Sequence, residues 1–221
     1  DRDLVMRNLT HVEGMSLAAL REGIHWDFQS FPEYLDRLER RGVGPNVACF
    51  VGHSSVRTYV LGQDAPTRAA KPEEIEAMRA IVVGALKAGA CGFSTTTSHQ
   101  HNGENGIPMP SRLADDAEMQ ALCGSLREVG RGGLMMTKAG NTPVPWIEEL
   151  GARAGRPSVV AALLHGNMAP EATFEDLEQI GQARGLLVLE LVADRPDEFL
   201  DHVLQGDVAG PLPLGSQRQR D

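Results

Sequence analysis

The sequence contains few cysteines, and they are not arranged as a disulfide framework would require. There are three in 221 residues, Cys49, Cys91 and Cys123, and no two of them form a CxxC pair. A scattered, odd-numbered set of this kind excludes the small secreted scaffolds that disulfides hold together. We therefore expect a reducing, cytoplasmic setting.

Long apolar runs and an excess of positive charge are also missing. No stretch reaches the roughly eighteen consecutive apolar residues that a membrane-spanning helix needs. Lys and Arg total 21 against 30 for Asp and Glu, a net charge of −9, so the overall field repels phosphate backbones and anionic membrane surfaces. We expect neither nucleic acid nor membrane as a partner. The sequence gives no oligomeric state.

The chain repeats one pattern, a short apolar run followed by a segment with helical spacing. The runs carry no polar alternation, which is typical of parallel strands buried on both faces. They lie at 46–51, 91–95, 133–137, 158–164 and 186–191. In the first helical segment, Ile75, Met78, Val82 and Leu86 recur every three or four positions. The predicted helices are 72–86, 115–129, 144–154 and 173–183.

This alternation predicts an α/β fold with a parallel sheet, either a doubly wound open sheet or a closed barrel. No phosphate-binding GxGxxG or GxxxxGK[ST] loop follows a strand, which favours the barrel. A complete barrel has eight strands and about 250 residues. We therefore predict a partial TIM-like (β/α) barrel over 1–206, with a helical N-terminal segment at 1–44, βα units at 45–206 and a solvated tail at 207–221. Because the chain begins with Asp1 and its first strand comes late, we expect a piece of a longer protein without the opening strand.

Several short blocks, taken in order, carry a family resemblance. They are VEGM at 12–15, ALREGI at 19–24, WDF at 26–28, SFPEYL at 30–35, GHSSVR at 52–57, AGACGFST at 88–95 and GIPMPSR at 106–112. Together they resemble the N-acyl-D-amino-acid deacylases (D-aminoacylases), which are amidohydrolase family 3 of the amidohydrolase superfamily. The resemblance extends from the N-terminus to about residue 192, and the tail matches nothing.

The resemblance implies a metal-dependent hydrolase barrel in which zinc-bound water attacks the amide bond of an N-acyl-D-amino acid. The metal matters because bound water ionises near neutral pH and free water does not. The family places a His-x-His pair after the first strand, then a bridging Cys or carboxylated Lys, single His residues after the fifth and sixth strands, and an Asp after the eighth. In this chain, His99 and His101 have the spacing of the pair but lie in a polar loop. Most zinc ligands are therefore expected outside the chain.

Two residues remain as candidate metal ligands. Where the family has Thr-His, this chain has Thr137-Lys138, and a lysine has no acceptor lone pair unless it is carboxylated or deprotonated. His165 ends the next predicted strand, at the carboxyl edge where barrel enzymes gather their catalytic groups. The alternative for His165 is a ring bonded to a loop carbonyl. No general base is assigned.

Two substrate-binding candidates follow the first predicted strand. These are His53 and Arg57, and Ser54 between them is placed to cap a helix. A guanidinium binds a carboxylate through two parallel hydrogen bonds, which suits a substrate carboxylate. The alternative for Arg57 is a structural ion pair between helices.

Three more candidates follow the second predicted strand. Ser94 lies at its end and either contacts substrate or caps the loop. His99 and Arg112 belong to the long polar loop 98–112, which has the length of an active-site lid. The alternative is a surface insertion.

Three functions are consistent with these residues. The first is N-acyl-D-amino-acid deacylation by metal-activated water. The second is a barrel that has lost its metal site, as Lys138 suggests, and has no hydrolase activity. The third is a cyclic amidase of the hydantoinase or dihydroorotase type. We expect the chain by itself to be inactive.

Overall fold

Three helices precede the first strand. The computed structural model describes residues 2–161, 163–165, 170–183, 186–188 and 191–193. The helices are α1 (Arg2–Val12), α2 (Leu17–Gly23) and α3 (Phe31–Arg41). Ser30 begins α3 with a capping box, in which its hydroxyl accepts from the Glu33 N–H and the Glu33 carboxylate accepts from the Ser30 N–H at 2.9 Å.

The rest of the described chain alternates strands and helices. In chain order these elements are β1 (Phe50–Gly52), α4 (His53–Leu61), α5 (Pro72–Ala88), β2 (Gly92–Thr95), α6 (Asp116–Val129), β3 (Gly133–Met136), α7 (Val144–Ala154), β4 (Ser158–Val160), β5 (Leu163–His165), α8 (Pro170–Gln182), β6 (Leu186–Val188) and β7 (Leu191–Ala193). Among these described residues, no helix is long and apolar enough to cross a membrane. The predicted tail at 207–221 lies outside the described residues.

The main sheet has five parallel strands in the order β1-β2-β3-β4-β6. Its order follows the chain without reversal, as in an arc of a barrel, whereas a doubly wound sheet reverses at its switch point. β5 and β7 form a separate parallel pair. The runs 158–164 and 186–191, each predicted as one strand, are therefore two short strands each.

The two faces of the sheet differ in burial. Val51, Phe93, Leu134 and Val160 are buried and belong to the hydrophobic core. Since side chains alternate along a strand, they share the face that the helices cover. On the opposite face Phe50, Ser94 and Met135 are partly buried, and Gly92 is buried beside Phe50, so that an added Cβ on Gly92 would meet the Phe50 ring at 2.7 Å.

Candidate active-site edge

Polar residues gather where the parallel strands end. His53 follows β1 directly, Thr95 is the last residue of β2, and Lys138 comes two residues after the end of β3. The carboxyl ends of neighbouring parallel strands lie at one edge of a sheet, so these residues share that edge. A backbone hydrogen bond of 3.3 Å from Thr137 N–H to Thr95 carbonyl oxygen continues the pairing of β2 and β3 past the strand ends.

A buried chain of hydrogen bonds begins at His53. Its Nδ1 lies 2.8 Å from Thr95 Oγ1, and its Nε2 lies 2.7 Å from Glu118 Oε1. Glu118 stands on α6 and also accepts a hydrogen bond from Arg57 Nη1. The side chains of His53, Arg57 and Glu118 are all 0% exposed. The network therefore joins β2, α4 and α6 inside the protein.

Burial and hydrogen bonding set the charges in this network. Burial lowers the pKa of the His53 imidazole below its ordinary value. Burial raises the pKa of the Glu118 carboxyl, but the hydrogen bonds from His53 and Arg57 outweigh it and leave that pKa lowered. A neutral His53 beside an ionised Glu118 donates from Nε2 to the carboxylate, and its Nδ1 accepts from the Thr95 hydroxyl. The buried charges then reduce to one Arg–Glu pair.

Arg57 is held by protein groups on several sides. Besides Glu118, its Nη2 donates to the backbone oxygens of Ala65 at 3.3 Å and Arg68 at 2.7 Å. This arrangement is the structural ion pair between helices that was the alternative to substrate binding. The side chains of His53 and Arg57 are not exposed to solvent, and the role of both in binding substrate stays a prediction.

Small hydroxyl side chains tie the end of β2 to the following loop. Ser111 Oγ donates to the Thr96 carbonyl oxygen at 2.8 Å, and Ser54 Oγ donates to Ser111 Oγ at 3.0 Å. Ser54 was expected to cap a helix, but α4 begins after Gly52 and has no side-chain cap. Ser94 is partly buried on the face of β2 opposite Phe93, and its contact with substrate stays a prediction.

The loop 98–112 folds back on itself and contacts α1. Arg112 Nη1 donates to the His101 carbonyl oxygen at 3.2 Å and to Asn102 Oδ1, so Arg112 holds the loop together from within. Glu104 pairs with Arg7 of α1 at 2.6 Å. His99 is exposed on this loop. The lid function of the loop and the contacts of His99 and Arg112 with substrate stay predictions.

Lys138 is part of an ion pair. Its Nζ lies 3.0 Å from Asp176 Oδ2 on α8, and the two side chains are 11% and 20% exposed. Nζ also donates to the Ala139 carbonyl oxygen at 3.1 Å. Both contacts join the lysine to oxygen atoms of the protein, and Lys138 as a metal ligand stays a prediction.

The described residues do not form a complete metal centre. No three His, Cys, Asp or Glu residues among them are close enough together to hold an ion. His165 is the last residue of β5, which confirms its position at a strand end, but its side chain lies outside the described part of the structure. His165 as a zinc ligand stays a prediction.

Two residues of this edge, Glu118 and Asp176, were not predicted from the sequence. The sequence offered a clue to the burial of Glu118, because this carboxylate lies next to Met119 and one turn before Leu122, both of which are buried core residues of α6. The sequence offered no such clue to Asp176, since an acidic residue on an amphipathic helix is ordinarily solvated.

Comparisons with known proteins show that the chain is similar to deacylases. A D-aminoacylase from Alcaligenes xylosoxydans xylosoxydans is 32% identical over 190 residues, which cover 84% of this chain and 35% of that protein. No family model matches the chain.

Solved structures agree with this relationship. A D-aminoacylase studied for the role of its binuclear metal center matches with a TM-score of 0.60 at 25% identity, over 73% of this chain and 33% of its own. An N-acyl-D-glutamate deacylase from Bordetella bronchiseptica, complexed with zinc and a phosphonate inhibitor, shares the fold with a TM-score of 0.57 at 24% identity, over 73% and 34%. The chain thus spans about a third of the length of these relatives.

Proposed function

We propose that this chain, which is related in sequence and in fold to the D-aminoacylases, carries the central βα units of a metal-dependent amidohydrolase that cleaves N-acyl-D-amino acids. The observation that carries the proposal is the 32% identity to a D-aminoacylase over 84% of the chain. It is supported by a parallel sheet whose order follows the chain, as in an arc of a barrel.

The reaction is the addition of water to an amide carbonyl. The acyl group leaves as a carboxylate, and the nitrogen of the D-amino acid takes a proton. In the described residues, the His53–Glu118–Arg57 network and the Ser54–Ser111 contact fix where the ends of β1 and β2 lie. Their proposed role is to hold the edge of the sheet on which the substrate would bind, and Ser94, which is partly buried, is the residue proposed to contact it.

Zinc is the metal we propose, since a zinc-bound deacylase shares the fold. When bound, it would supply a water that ionises near neutral pH. The described residues do not fit a complete zinc site, and His165 is the candidate ligand that this chain contributes. We further propose a cytoplasmic location, in keeping with the few cysteines, and a small-molecule amide as the partner, in keeping with the deacylases among the relatives.

A second candidate function is a barrel without hydrolase activity. The observation that favours it is the Lys138–Asp176 ion pair, which occupies a strand end where a ligand was expected. In that case Ser94 and the loop 98–112 would bind an amide without turning it over.

The test uses the complete protein purified in the presence of zinc. It is incubated with a panel of N-acetyl-D-amino acids, and acetate release is measured before treatment with a chelator, after it, and after zinc is added back. We expect hydrolysis that the chelator removes and zinc restores. Binding of the panel without any acetate release would instead establish the non-hydrolytic barrel.

A further inference from the structure

Two cysteines lie side by side at the opposite edge of the sheet. Cys49 directly precedes β1 and Cys91 directly precedes β2, and the first paired residues of these strands are Phe50 and Gly92. The register continues one step further, because Cys91 N–H donates to the Cys49 carbonyl oxygen at 2.9 Å. The two cysteines are therefore direct neighbours across two parallel strands.

Their side chains share one face. Along a strand, residues two positions apart point to the same side. Cys49 stands two positions before Val51 and Cys91 two before Phe93, and Val51 and Phe93 are paired and buried on the helix-covered face. Both thiols thus lie on that face, and both cysteines are only partly buried.

Nearby titratable groups agree with this placement. Burial raises the pKa of the Tyr34 hydroxyl on α3, and the neighbouring Cys49 adds to the effect. Burial also raises the pKa of the Cys91 thiol, and Cys49 adds to the effect. Cys123 is different, because it is fully buried in the core and burial raises the pKa of its thiol to about 12.

We propose that Cys49 and Cys91 form an oxidisable dithiol that closes to an intramolecular disulfide by exchange with a low-molecular-weight disulfide such as oxidised glutathione. Neighbouring strands are about 4.8 Å apart, and a disulfide joins Cα atoms that lie about 4.4 to 6.8 Å apart. Both cysteines directly precede the strands, and closing the disulfide would require their sulfurs to approach to bonding distance.

The exchange balances in two steps. One cysteine thiolate attacks a sulfur of oxidised glutathione, forms a mixed disulfide and releases one glutathione thiolate. The second cysteine thiolate attacks the protein sulfur of that mixed disulfide and releases the other glutathione. The protein loses two electrons and two protons, and the oxidant is reduced to two thiols.

This dithiol site is independent of the proposed amide hydrolysis. It lies at the amino ends of β1 and β2, whereas His53 and Thr95 lie at their carboxyl ends. Closing it would link the two strands covalently at their amino ends.

The test counts thiols and maps cross-links in the full chain. The reduced protein is incubated with excess oxidised glutathione at mildly alkaline pH, which favours the thiolate of Cys91. We expect a mass decrease of two hydrogens, a fall from three reactive thiols to one after denaturation, and one cross-linked peptide pair containing residues 49 and 91. Reduction should restore all three thiols.

Matched variants separate the pair from the third cysteine. Cys123→Ala should still form the cross-link, while Cys49→Ser and Cys91→Ser should each end as a stable mixed disulfide with one glutathione. The proposal is overturned if the unmodified chain keeps three free thiols, or if it carries separate glutathione adducts on Cys49 and Cys91 with no cross-link. It is equally overturned if Cys123 enters the disulfide.

Discussion

Among single residues, Glu118 is the buried carboxylate that neutralises the buried charge of Arg57. It accepts from His53 and Arg57 at once, and all three side chains are 0% exposed. Removing one partner of a buried ion pair leaves the other charge uncompensated, and that loss exceeds what the intact pair contributes. The carboxylate therefore matters chiefly because Arg57 is buried beside it.

Glu118→Gln should lower the free energy of unfolding by about 3–5 kcal/mol, because Arg57 keeps its buried charge without a counter-ion. Urea unfolding followed by circular dichroism measures the loss. The matched control is Glu128→Gln, which removes an exposed partner of Arg79 and should cost much less. Equal losses in the two variants would contradict the importance given to the buried pair.

His53 gives the protein a pH dependence. Since burial lowers its pKa in the folded state, the unfolded chain takes up a proton first, near the ordinary value of about 6.5. Stability should be fully present above that pH and decline as the pH falls below it, and the lowered pKa of Glu118 acts in the same direction at more acidic pH.

The measurement compares the free energy of unfolding at pH 7.5 and pH 5.5. The decline between these two pH values should be smaller in His53→Gln than in the unmodified chain. The control is His99→Gln, which changes an exposed histidine and should leave the decline unaltered. An unchanged decline in His53→Gln would exclude this histidine as its source.

At the scale of elements, the loop 98–112 depends on α1 for its position. The Arg7–Glu104 pair joins them at 2.6 Å, and Asn8 of α1 lies against Gly103, where an added Cβ would meet Asn8 Oδ1 at 2.7 Å. The loop is thus attached both to the end of β2 and to a helix from the start of the chain.

Arg7→Gln should loosen this loop without unfolding the sheet. Hydrogen–deuterium exchange of peptides spanning 98–112 should become faster, while exchange of α5 stays the same. Arg21→Gln is the matched control, because Arg21 pairs with Asp3 of α1 and not with the loop. If both variants left loop exchange unchanged, the tether would not control the loop.

The helices were more predictable than the strands. The predicted segments 72–86, 115–129 and 144–154 lie within two residues of α5, α6 and α7 at each end, because apolar spacing and a following glycine define them. The first strand was expected at 46–51 and is only Phe50–Gly52, since a run of apolar residues does not show where pairing with a neighbour begins.

The candidate site was less predictable, because its contacts join residues far apart in the chain. The sequence pointed to His53 and Arg57 but not to their shared partner, which stands 61 positions after Arg57. In the same way, the sequence pointed to Lys138 but not to its ion-pair partner Asp176. Pairing between residues on different helices depends on how the helices pack, and this packing cannot be predicted from residue spacing in one sequence.

At the scale of the whole molecule, the resemblance to N-acyl-D-amino-acid deacylases predicted from the short blocks is confirmed by D-aminoacylases among its relatives and structural neighbours. The predicted α/β fold with a parallel, barrel-like sheet is confirmed as well. A complete set of metal ligands could not be predicted, since the chain covers about a third of those proteins.

Metal content of the complete protein separates the two ligand candidates. His165→Ala should lower the zinc bound per chain, as measured by mass spectrometry of the metal, because a ligand at a strand end is lost. Lys138→Met should leave the zinc content unchanged, since Lys138 pairs with Asp176. The opposite pattern, with loss only in Lys138→Met, would make the lysine the ligand.

The stereochemistry of the substrate tests most directly whether this chain is part of a hydrolase of N-acyl-D-amino acids, as proposed. Initial rates of acetate release by the complete protein are measured for matched N-acetyl-D- and N-acetyl-L-amino acids. We predict that the D-enantiomers are hydrolysed and that the L-enantiomers are hydrolysed far more slowly or not at all. Hydrolysis of neither enantiomer, or a preference for the L-enantiomers, would contradict the claim.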